Sequence, residues 1–379
     1  MNRLPGLPWL CIGVLAGMLQ PAAAQNSPLP RTSSVAVASR KTPLAAATLE
    51  AATIKGAEVD PDDDTSSKHD PIRPDEIHHP ILWHDPGAIA SLDLLHGQGG
   101  SAGEPQPPFT FLGEDHDESS PKFDVRDAHG RKWRGKFGLE VNAEIAVSRL
   151  LWAVGYFVED DYYLATATVP SIHMSRGKKY VHGDQLTAAR FARRPDGEKK
   201  IAIWKWKSNP FLGTREFNGL RVMIALVNSW DLKDDNNSVY SDKKNDRQLF
   251  LVSDTGSSFG RTGLHFVNSL SKNNLPAYEK SKFITHTTTD SVDFAAPAPS
   301  LSLLLETLGF GIKQYIRREN MLWIGRHIPR QDARWIGSLL GQLSHRQIED
   351  AFRAGGYSPD EVDGFTRVIE GRIRQLNAL

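Results

Sequence analysis

The stretch LFLVSDTGSSFG, residues 249–260, is the part of the sequence that most directly determines the expected fold. It begins with a continuous apolar run, residues 249–252, which is typical of a buried strand. The run leads into Asp254, and Gly256 follows two residues later. A carboxylate at the end of a buried strand is well placed to bind a divalent cation, although Asp-x-Gly turns are also common without one. The interpretation therefore depends on the motifs that precede this stretch.

The motif DLKDDN, residues 231–236, lies upstream and directly follows a predicted amphipathic helix. The apolar residues of this helix recur at intervals of three or four: Leu220, Met223, Ile224 and Val227. In a loop of this kind, Asp231 can orient or accept the proton of a hydroxyl group, while Asn236 can hold a metal ion. The alternative is a solvated turn, because acidic and asparagine-rich loops are common. The motif gains weight from its position between a helix and the strand that leads to Asp254.

The segment KFGLEVNAE, residues 136–144, places a lysine at the end of a predicted strand and two acids at the start of a predicted helix. The apolar face of that helix is formed by Val147, Leu150, Leu151 and Val154. Glu140 and Glu144 fall on the same face, where a lone charge is costly to bury, and Lys136 is the natural partner. The alternative is that both acids lie in exposed first turns, where they favour the helix dipole.

The periodicity of the apolar residues changes along the chain. Strand-like patterns occupy four segments of the first half: residues 122–125, 132–136, 162–169 and 201–206. After Gly213 the spacing becomes mainly helical, and two later helices are predicted to begin with capping boxes at Ser344 and Ser358. A strand-rich half followed by a helix-rich half predicts an α+β fold with two lobes.

The order of these motifs resembles that of the phosphoinositide 3- and 4-kinases, within the atypical protein-kinase-like superfamily. The shared pattern is a lysine followed by a helix acid, then Asp-x-x-x-x-Asn, then Asp-x-Gly-x-x-apolar-Gly, which Phe259 and Gly260 complete. The family's spacing of lysine and acid selects Glu144 over Glu140. DLK-x-x-N also matches the core of the protein-kinase catalytic loop, and HipA-type and secretory-pathway Fam-type kinases share the broader fold. The resemblance spans about residues 109–260 and implies a two-lobed, protein-kinase-like fold with a strand-rich N-lobe and a helical C-lobe.

The resemblance implies an ATP-dependent phosphotransferase that uses Mg²⁺ or Mn²⁺ in a cleft between the lobes. Lys136 would bind the phosphates, and Glu144 would orient Lys136. Asn236 and Asp254 would hold the metal ion, and Asp231 would position the acceptor hydroxyl. The loop residues expected to contact phosphate are Ser119, Ser120 and Lys122.

The sequence departs from the family pattern in three places. No histidine lies just before Asp231 or two residues after it, and Ser229 and Trp230 precede it instead. Thr255 replaces the usual phenylalanine of Asp-Phe-Gly, and the predicted phosphate loop, residues 118–122, is not glycine-rich. Two alternatives therefore remain: a catalytically inactive pseudokinase or scaffold, and an enzyme on the same fold that transfers AMP.

The N-terminal region has the features of a secretory signal peptide, residues 1–24. Arg3 precedes an apolar run, residues 10–19, which is too short to span a bilayer, and a run of small residues ends at Ala24. Cys11 lies in the apolar run and is the only cysteine, so the mature chain is expected to have no disulfide. We therefore expect a secreted protein, periplasmic or extracellular, with no transmembrane segment in the mature chain.

Composition divides the rest of the chain. Residues 25–75 are rich in Ala, Ser, Thr, Pro and Asp and contain no large aromatic residue, which predicts a disordered linker. Residues 76–108 are expected to pack on the core as an extension. We expect a strand-rich N-lobe at residues 109–206. A helical C-lobe with the catalytic and metal-binding loops is expected at residues 207–379.

With 45 basic and 45 acidic residues, the sequence lacks the basic excess of a nucleic-acid-binding protein. The expected partners are a nucleotide and an acceptor, which is a protein, a lipid or a small molecule that the sequence does not identify.

Overall fold

The computed structural model describes five parts of the chain: residues 69–116, 120–193, 198–261, 272–295 and 321–379. The predicted signal peptide and Ser119 therefore lie outside the described residues, as does most of the predicted linker. Hydrogen-bonded structure begins before Asp75, because the N–H of Ile72 donates to the carbonyl of Ile203 at 2.8 Å. The start of the described chain is thus attached to the segment that leads into the second half.

An antiparallel sheet organises the first half of the described chain. A short strand, β1 (Pro80–Ile81), comes first in the chain and lies in a different sheet. The strands of the antiparallel sheet are β2 (Thr110–Asp115), β3 (Lys122–Arg126), β4 (Lys132–Phe137), β5 (Asp160–Thr168), β6 (Val181–His182) and β7 (Gln185–Arg193). The spatial order is β2-β3-β4-β7-β5, and β6 pairs with the start of β7. Alternate side chains bury one face of the sheet around aromatic residues such as Phe123, Trp133 and Phe191. The predicted strand segments 122–125 and 132–136 correspond to β3 and β4, which pair antiparallel.

Helix α1 (Val141–Ala153) follows β4 almost directly and contacts β5 and β7. Nearly all of its residues are buried, which confirms the predicted packed helix. The chain leaves the helix at Gly155, whose φ of 92° is a conformation that glycine adopts without strain. A Cβ at Gly155 would also lie 2.1 Å from the carbonyl oxygen of His84, so both conformation and space require glycine at this turn.

The second half of the described chain is mainly helical, with short strands between the helices. Its strands are β8 (Glu198–Ala202), β9 (Asn237–Asp242), β10 (Arg247–Val252), β11 (Ile284–Thr287), β12 (Ser291–Phe294) and β13 (Ile328–Pro329). Its helices are α2 (Arg215–Leu226), α3 (Leu275–Glu279), α4 (Arg330–Leu340), α5 (His345–Ala354) and α6 (Pro359–Asn377). Capping boxes at Ser344 and Ser358 begin α5 and α6, as predicted.

The strands between these helices form two smaller sheets, one of which also includes β1. One has the order β1-β10-β9-β8, with β1 parallel to β10, and the other has the order β11-β12-β13. The larger hydrophobic core joins α1 to α2 and to the three C-terminal helices through buried residues that include Val147, Met223, Ile336, Phe352 and Ile369. A strand-rich part with its own aromatic core is therefore followed by a helical part with a second core. This is the predicted α+β arrangement, in which a strand-rich part precedes a helical part.

The segment between β1 and β2 covers the helical core with three buried apolar side chains: Leu82, Ile89 and Leu94. Trp83 fixes this segment to the end of α1, because its Nε1 donates to the carbonyl of Val154 at 2.6 Å. Within the described ranges, the structure contains no helix whose length and apolar content would let it cross a membrane.

Candidate active site

Lys136 lies at the end of β4, beside the first turn of α1, where it meets the acid expected to orient it. Its ammonium group contacts Oε1 of Glu144 directly. Both side chains are buried, with 4% of Lys136 and 2% of Glu144 exposed. The contact forms because the strand and the helix are almost continuous in sequence, so the strand end faces the first turn of the helix.

Two further carboxylates share the ammonium group of Lys136. Oε2 of Glu140 lies 3.1 Å from its nitrogen, and Oδ2 of Asp254 lies 3.7 Å away. One oxygen of each acid lies within 4.8 Å of the others, which would allow Glu140, Glu144 and Asp254 to hold a metal ion. We refer to Lys136 and these three acids as the Lys136 cluster. Lys136 donates a hydrogen bond to Glu144, the acid that the family spacing selects, and Glu140 lies within ion-pair distance of the same ammonium group.

The charges of the Lys136 cluster shift one another's proton affinity. Burial raises the pKa of Glu144 to about 7, against the lowering effect of Lys136. Burial also opposes the ionisation of Asp254, but the charge of Lys136 outweighs it and holds the pKa of Asp254 below its usual range. For Lys136 itself, the effect of burial is outweighed by the three carboxylates, which raise its pKa. Carboxylate oxygens clustered in this way are the type of ligand that a divalent cation prefers.

The segment that follows β10 packs tightly against the start of α1. Oδ1 of Asp254 accepts a hydrogen bond from the N–H of Gly256 at 3.3 Å. A Cβ at Gly256 would lie 2.4 Å from Cβ of Glu140 and 2.8 Å from Oε1 of Glu144, so a larger residue would displace the helix. Phe259 is fully buried in the helical core and anchors the far end of the segment. The Asp-x-Gly motif therefore has a packing role in addition to the placement of Asp254.

The predicted catalytic loop, residues 231–236, runs beside Asp254. The carbonyl of Asn236 accepts the N–H of Ser253 at 2.8 Å and that of Asp254 at 3.4 Å. Nδ2 of Asn236 donates to the carbonyl of Asp231 at 2.6 Å. The amide of Asn236 is therefore oriented so that Oδ1 is the atom through which it would bind a metal ion.

The carboxylate of Asp231 pairs with Lys233 at 2.8 Å rather than with the Lys136 cluster. Its side chain is 25% exposed and accessible to an acceptor. The backbone on either side is fixed, because the N–H of Trp230 donates to the carbonyl of Ser257 at 3.2 Å and Asp234 accepts the N–H of Trp206 at 3.1 Å. The loop is thus attached both to the Asp-x-Gly segment and to the segment before α2.

Arg190 in β7 is a second basic partner of Glu144, and the sequence analysis does not identify it. In the sheet, three basic residues are aligned across β3, β4 and β7: Lys122, Lys136 and Arg190. Nη1 of Arg190 lies 3.4 Å from Oε2 of Glu144, while its Nη2 donates to Glu159 at 2.9 Å. A basic residue between Ala189 and Phe191 in β7 is the signal that could have identified it, since a buried charge needs a partner.

Lys272 is a further residue that sequence reasoning does not identify. Its ammonium group contacts Oε1 of Glu140 directly and lies 5.6 Å from the centre of the Trp230 ring. The next residue, Asn273, donates through Nδ2 to the carbonyl of Leu139. The segment that begins at Lys272 therefore contacts the start of α1. No periodicity or motif in the sequence indicates these contacts.

The structure describes two of the three residues predicted to contact phosphate. Lys122 begins β3 and lies opposite Lys136 in the sheet. Burial raises the pKa of Asp254, but the positive charge of Lys136 and, less strongly, that of Lys122 lower it. The charge of Lys122 therefore acts on the Lys136 cluster. Ser120 lies two residues before Lys122, at the entry to β3, and its phosphate contact stays a prediction.

The chain is similar to known proteins only in comparisons with solved structures. No protein-family model and no curated protein sequence matches the chain. The Helicobacter pylori proinflammatory kinase CtkA is similar over 68% of this chain and 93% of its own, with 9% identity and a TM-score of 0.35. A Golgi casein kinase is similar over 76% of this chain and 78% of its own, with 11% identity and a TM-score of 0.28. At this level of similarity, neither structure identifies a role for any residue here.

Proposed function

We propose that this protein is an ATP-dependent phosphotransferase with a kinase-like active site. The observation that carries the proposal is the contact of buried Lys136 with Glu144, directly beside Asp254 and the loop of residues 231–236. Phosphoryl transfer needs a cation for the phosphates, an acid that orients it, metal ligands and a carboxylate for the acceptor. One site contains side chains able to perform each of these tasks.

The donor atoms of the site fit a divalent cation and a nucleotide. Asp254 and Asn236 would hold Mg²⁺ or Mn²⁺, because these ions prefer carboxylate and amide oxygens. The ion would neutralise charge on the phosphates during transfer. Lys136 would bind phosphate oxygens, with Lys122 beside it in the sheet as a second cation. Glu144 would keep Lys136 in position for this contact.

Asp231 would act on the acceptor. As the acceptor oxygen bonds to the γ-phosphorus, the bond to the leaving ADP breaks, and the carboxylate of Asp231 takes the hydroxyl proton. The contact with Lys233 would fix the orientation of this carboxylate. The side chain of Lys233 is 43% exposed, so an acceptor could approach Asp231 from that side.

We further infer that the enzyme acts outside the cytoplasm, on the support of the signal-peptide pattern of residues 1–24. The order and spacing of the motifs support a relationship to the phosphoinositide-kinase-like and HipA-type kinases. That relationship does not specify a lipid acceptor, and the proposal extends only to a hydroxyl group.

Analysis of the products formed from ATP tests the proposal. With Mg²⁺ or Mn²⁺, a phosphotransferase releases ADP, whereas an AMP-transferring enzyme releases pyrophosphate. Product formation should be lost in Asp254→Asn and retained in Asp246→Asn, a control acid in the β9–β10 turn whose side chain is 81% exposed. Equal activity in Asp254→Asn would overturn the assignment. Formation of neither product by the folded protein would favour the inactive pseudokinase.

A further inference from the structure

A cationic cavity lies in the helical part of the fold, between the segment that precedes α2 and the segment that precedes β13. Its volume is about 800 Å³. Seven residues line it: Lys207, Leu212, Arg221, Leu322, Trp323, Arg326 and His327. None of these described lining residues is acidic. The cationic cavity shares no residue with the Lys136 cluster, so it would be a separate binding site.

Arg221 forms the buried base of the cationic cavity, with 7% of the residue exposed. Its guanidinium donates to Oδ1 of Asn218 at 2.7 Å and to the carbonyls of residues 323, 324 and 326 at 2.6 to 2.9 Å. In the part of the chain that the structure describes, no carboxylate forms an ion pair with Arg221. Burial without such a partner lowers the pKa of Arg221 to about 10. Carbonyl dipoles therefore hold the guanidinium in place while its positive charge stays unneutralised.

Two more cations stand at the rim of the cationic cavity. Lys207 and Arg326 are both exposed, and neither forms an ion pair with an acid in the described ranges. Two acids contact neighbours of these residues: Asp332 accepts from Nδ2 of Asn218 at 2.7 Å, and Asp293 accepts the N–H of His327 at 2.7 Å. Oδ1 of Asp293 also lies 3.8 Å from Nδ1 of His327. Three positive charges therefore face one cavity.

The remaining wall of the cationic cavity is apolar. Trp323 stacks on Phe217 of α2 at 6.4 Å between ring centres, and Arg221 lies 5.1 Å from the Trp323 ring centre. Leu212 also lines the cavity, and 48% of this residue is exposed. A flat apolar group can therefore pack against one wall while a charged group meets the cations.

We propose that the cationic cavity binds a small organic anion. Its phosphate or carboxylate group would lie between Lys207 and Arg326, above the charge of Arg221, and its apolar part would pack against Trp323. The proposal does not depend on the proposed phosphotransferase activity.

Calorimetric titration of the full chain with phenyl phosphate, phenylacetate and inorganic phosphate tests this proposal. Phenyl phosphate presents both features of the expected ligand, phenylacetate exchanges the charged group, and inorganic phosphate lacks the apolar part. We expect phenyl phosphate to bind, and to bind more tightly than inorganic phosphate. Phenylacetate then decides whether the site prefers phosphate or carboxylate. Loss of Lys207 and Arg326 together, as K207Q/R326Q, should weaken binding by roughly tenfold or more because two charge-assisted hydrogen bonds are removed.

The matched control is K244Q/R346Q, which removes one lysine and one arginine that are exposed elsewhere on the surface. Binding by this control should equal that of the unmodified protein, and saturating ATP with Mg²⁺ should not displace phenyl phosphate. No binding at millimolar phenyl phosphate would overturn the proposal, as would an equal loss in both double variants. Displacement by ATP, or loss of binding in Asp254→Asn, would show that the probe occupies the nucleotide site instead.

Discussion

Arg190 stands directly opposite Lys136 in the pairing of β7 with β4, and both side chains reach the carboxylate of Glu144. Lys136 contacts one oxygen, and Arg190 approaches the other to 3.4 Å. Arg190 is itself held by Glu159 and by Asp161, at 2.9 and 3.3 Å. A buried carboxylate between two fixed cations has little freedom to reorient. The sheet therefore determines the position of the acid that α1 presents to Lys136.

Replacing Arg190 with methionine should destabilise the fold by about 3 kcal/mol, because three acids lose a buried cation. The measurement is urea unfolding, and calorimetry of the same variant should show weaker ATP binding because Glu144 is no longer fixed. Arg190→Lys keeps the positive charge but lacks the planar guanidinium group, so this variant should retain part of the stability and part of the ATP binding. A methionine variant as stable as the unmodified protein would show that Arg190 does not support Glu144.

Glu144 should make stability depend on pH. Burial raises its folded-state pKa to about 7 from an ordinary 4.5, so the folded state binds this proton more tightly than the unfolded state. The contribution of Glu144 to stability therefore decreases as pH rises from 4.5 to 7, and the full penalty is present above pH 7.

Glu144→Gln removes this titration. The difference in free energy of unfolding, variant minus unmodified protein, should therefore increase by up to a few kcal/mol as pH rises from 5 to 7. Urea unfolding at several pH values in this range measures the difference, with the exposed Glu279→Gln as control. A difference between variant and unmodified protein that does not change with pH would argue against a raised pKa at Glu144.

Gly256→Ala should distort the site, since a Cβ would meet Glu140 at 2.4 Å and Glu144 at 2.8 Å. We expect a loss of stability of about 1–3 kcal/mol and weaker metal-dependent ATP binding, because the start of α1 must move away from Asp254. Gly113→Ala is the control, since nothing lies within 4 Å of a Cβ there. Unfolding and binding measurements should separate the two variants clearly. Similar behaviour of both would mean that the contact at Gly256 is unimportant.

Asp231→Asn should lower the rate of ADP formation roughly 100-fold or more, because the acceptor proton loses its base. Binding of ATP should change little, since Asp231 lies outside the Lys136 cluster and pairs with Lys233. The exposed neighbour Asp235 provides the control as Asp235→Asn, which should keep the original rate. An unchanged rate in Asp231→Asn would show that Asp231 does not accept the acceptor proton.

Local sequence indicates that Lys136 meets an acid of the following helix, because a strand end is followed almost at once by a helix with acids on its apolar face. The family spacing is needed to select Glu144 over Glu140. The capping boxes of α5 and α6 are predictable for the same reason, since each depends on residues three positions apart. The α+β class follows from the change of apolar period along the chain.

The contacts of Arg190 and Lys272 could not be predicted in this way. Arg190 meets Glu144 only because β7 is inserted between β4 and β5, and strand alternation does not specify which strands are neighbours. Lys272 reaches Glu140 from a segment far along the chain. The parallel pairing of β1 with β10 is likewise a long-range contact without a local signal.

Metal-dependent binding of ATP beside Lys136 is tested most directly by calorimetry of the purified protein with ATP and either Mg²⁺ or Mn²⁺. Asp254→Asn removes one carboxylate that is proposed to bind the metal ion, and Asp246→Asn is the matched surface control. We predict binding that requires the metal ion, is lost in Asp254→Asn and is unchanged in Asp246→Asn. Absence of binding with either metal by the folded protein, or equal binding by both variants, would contradict this account.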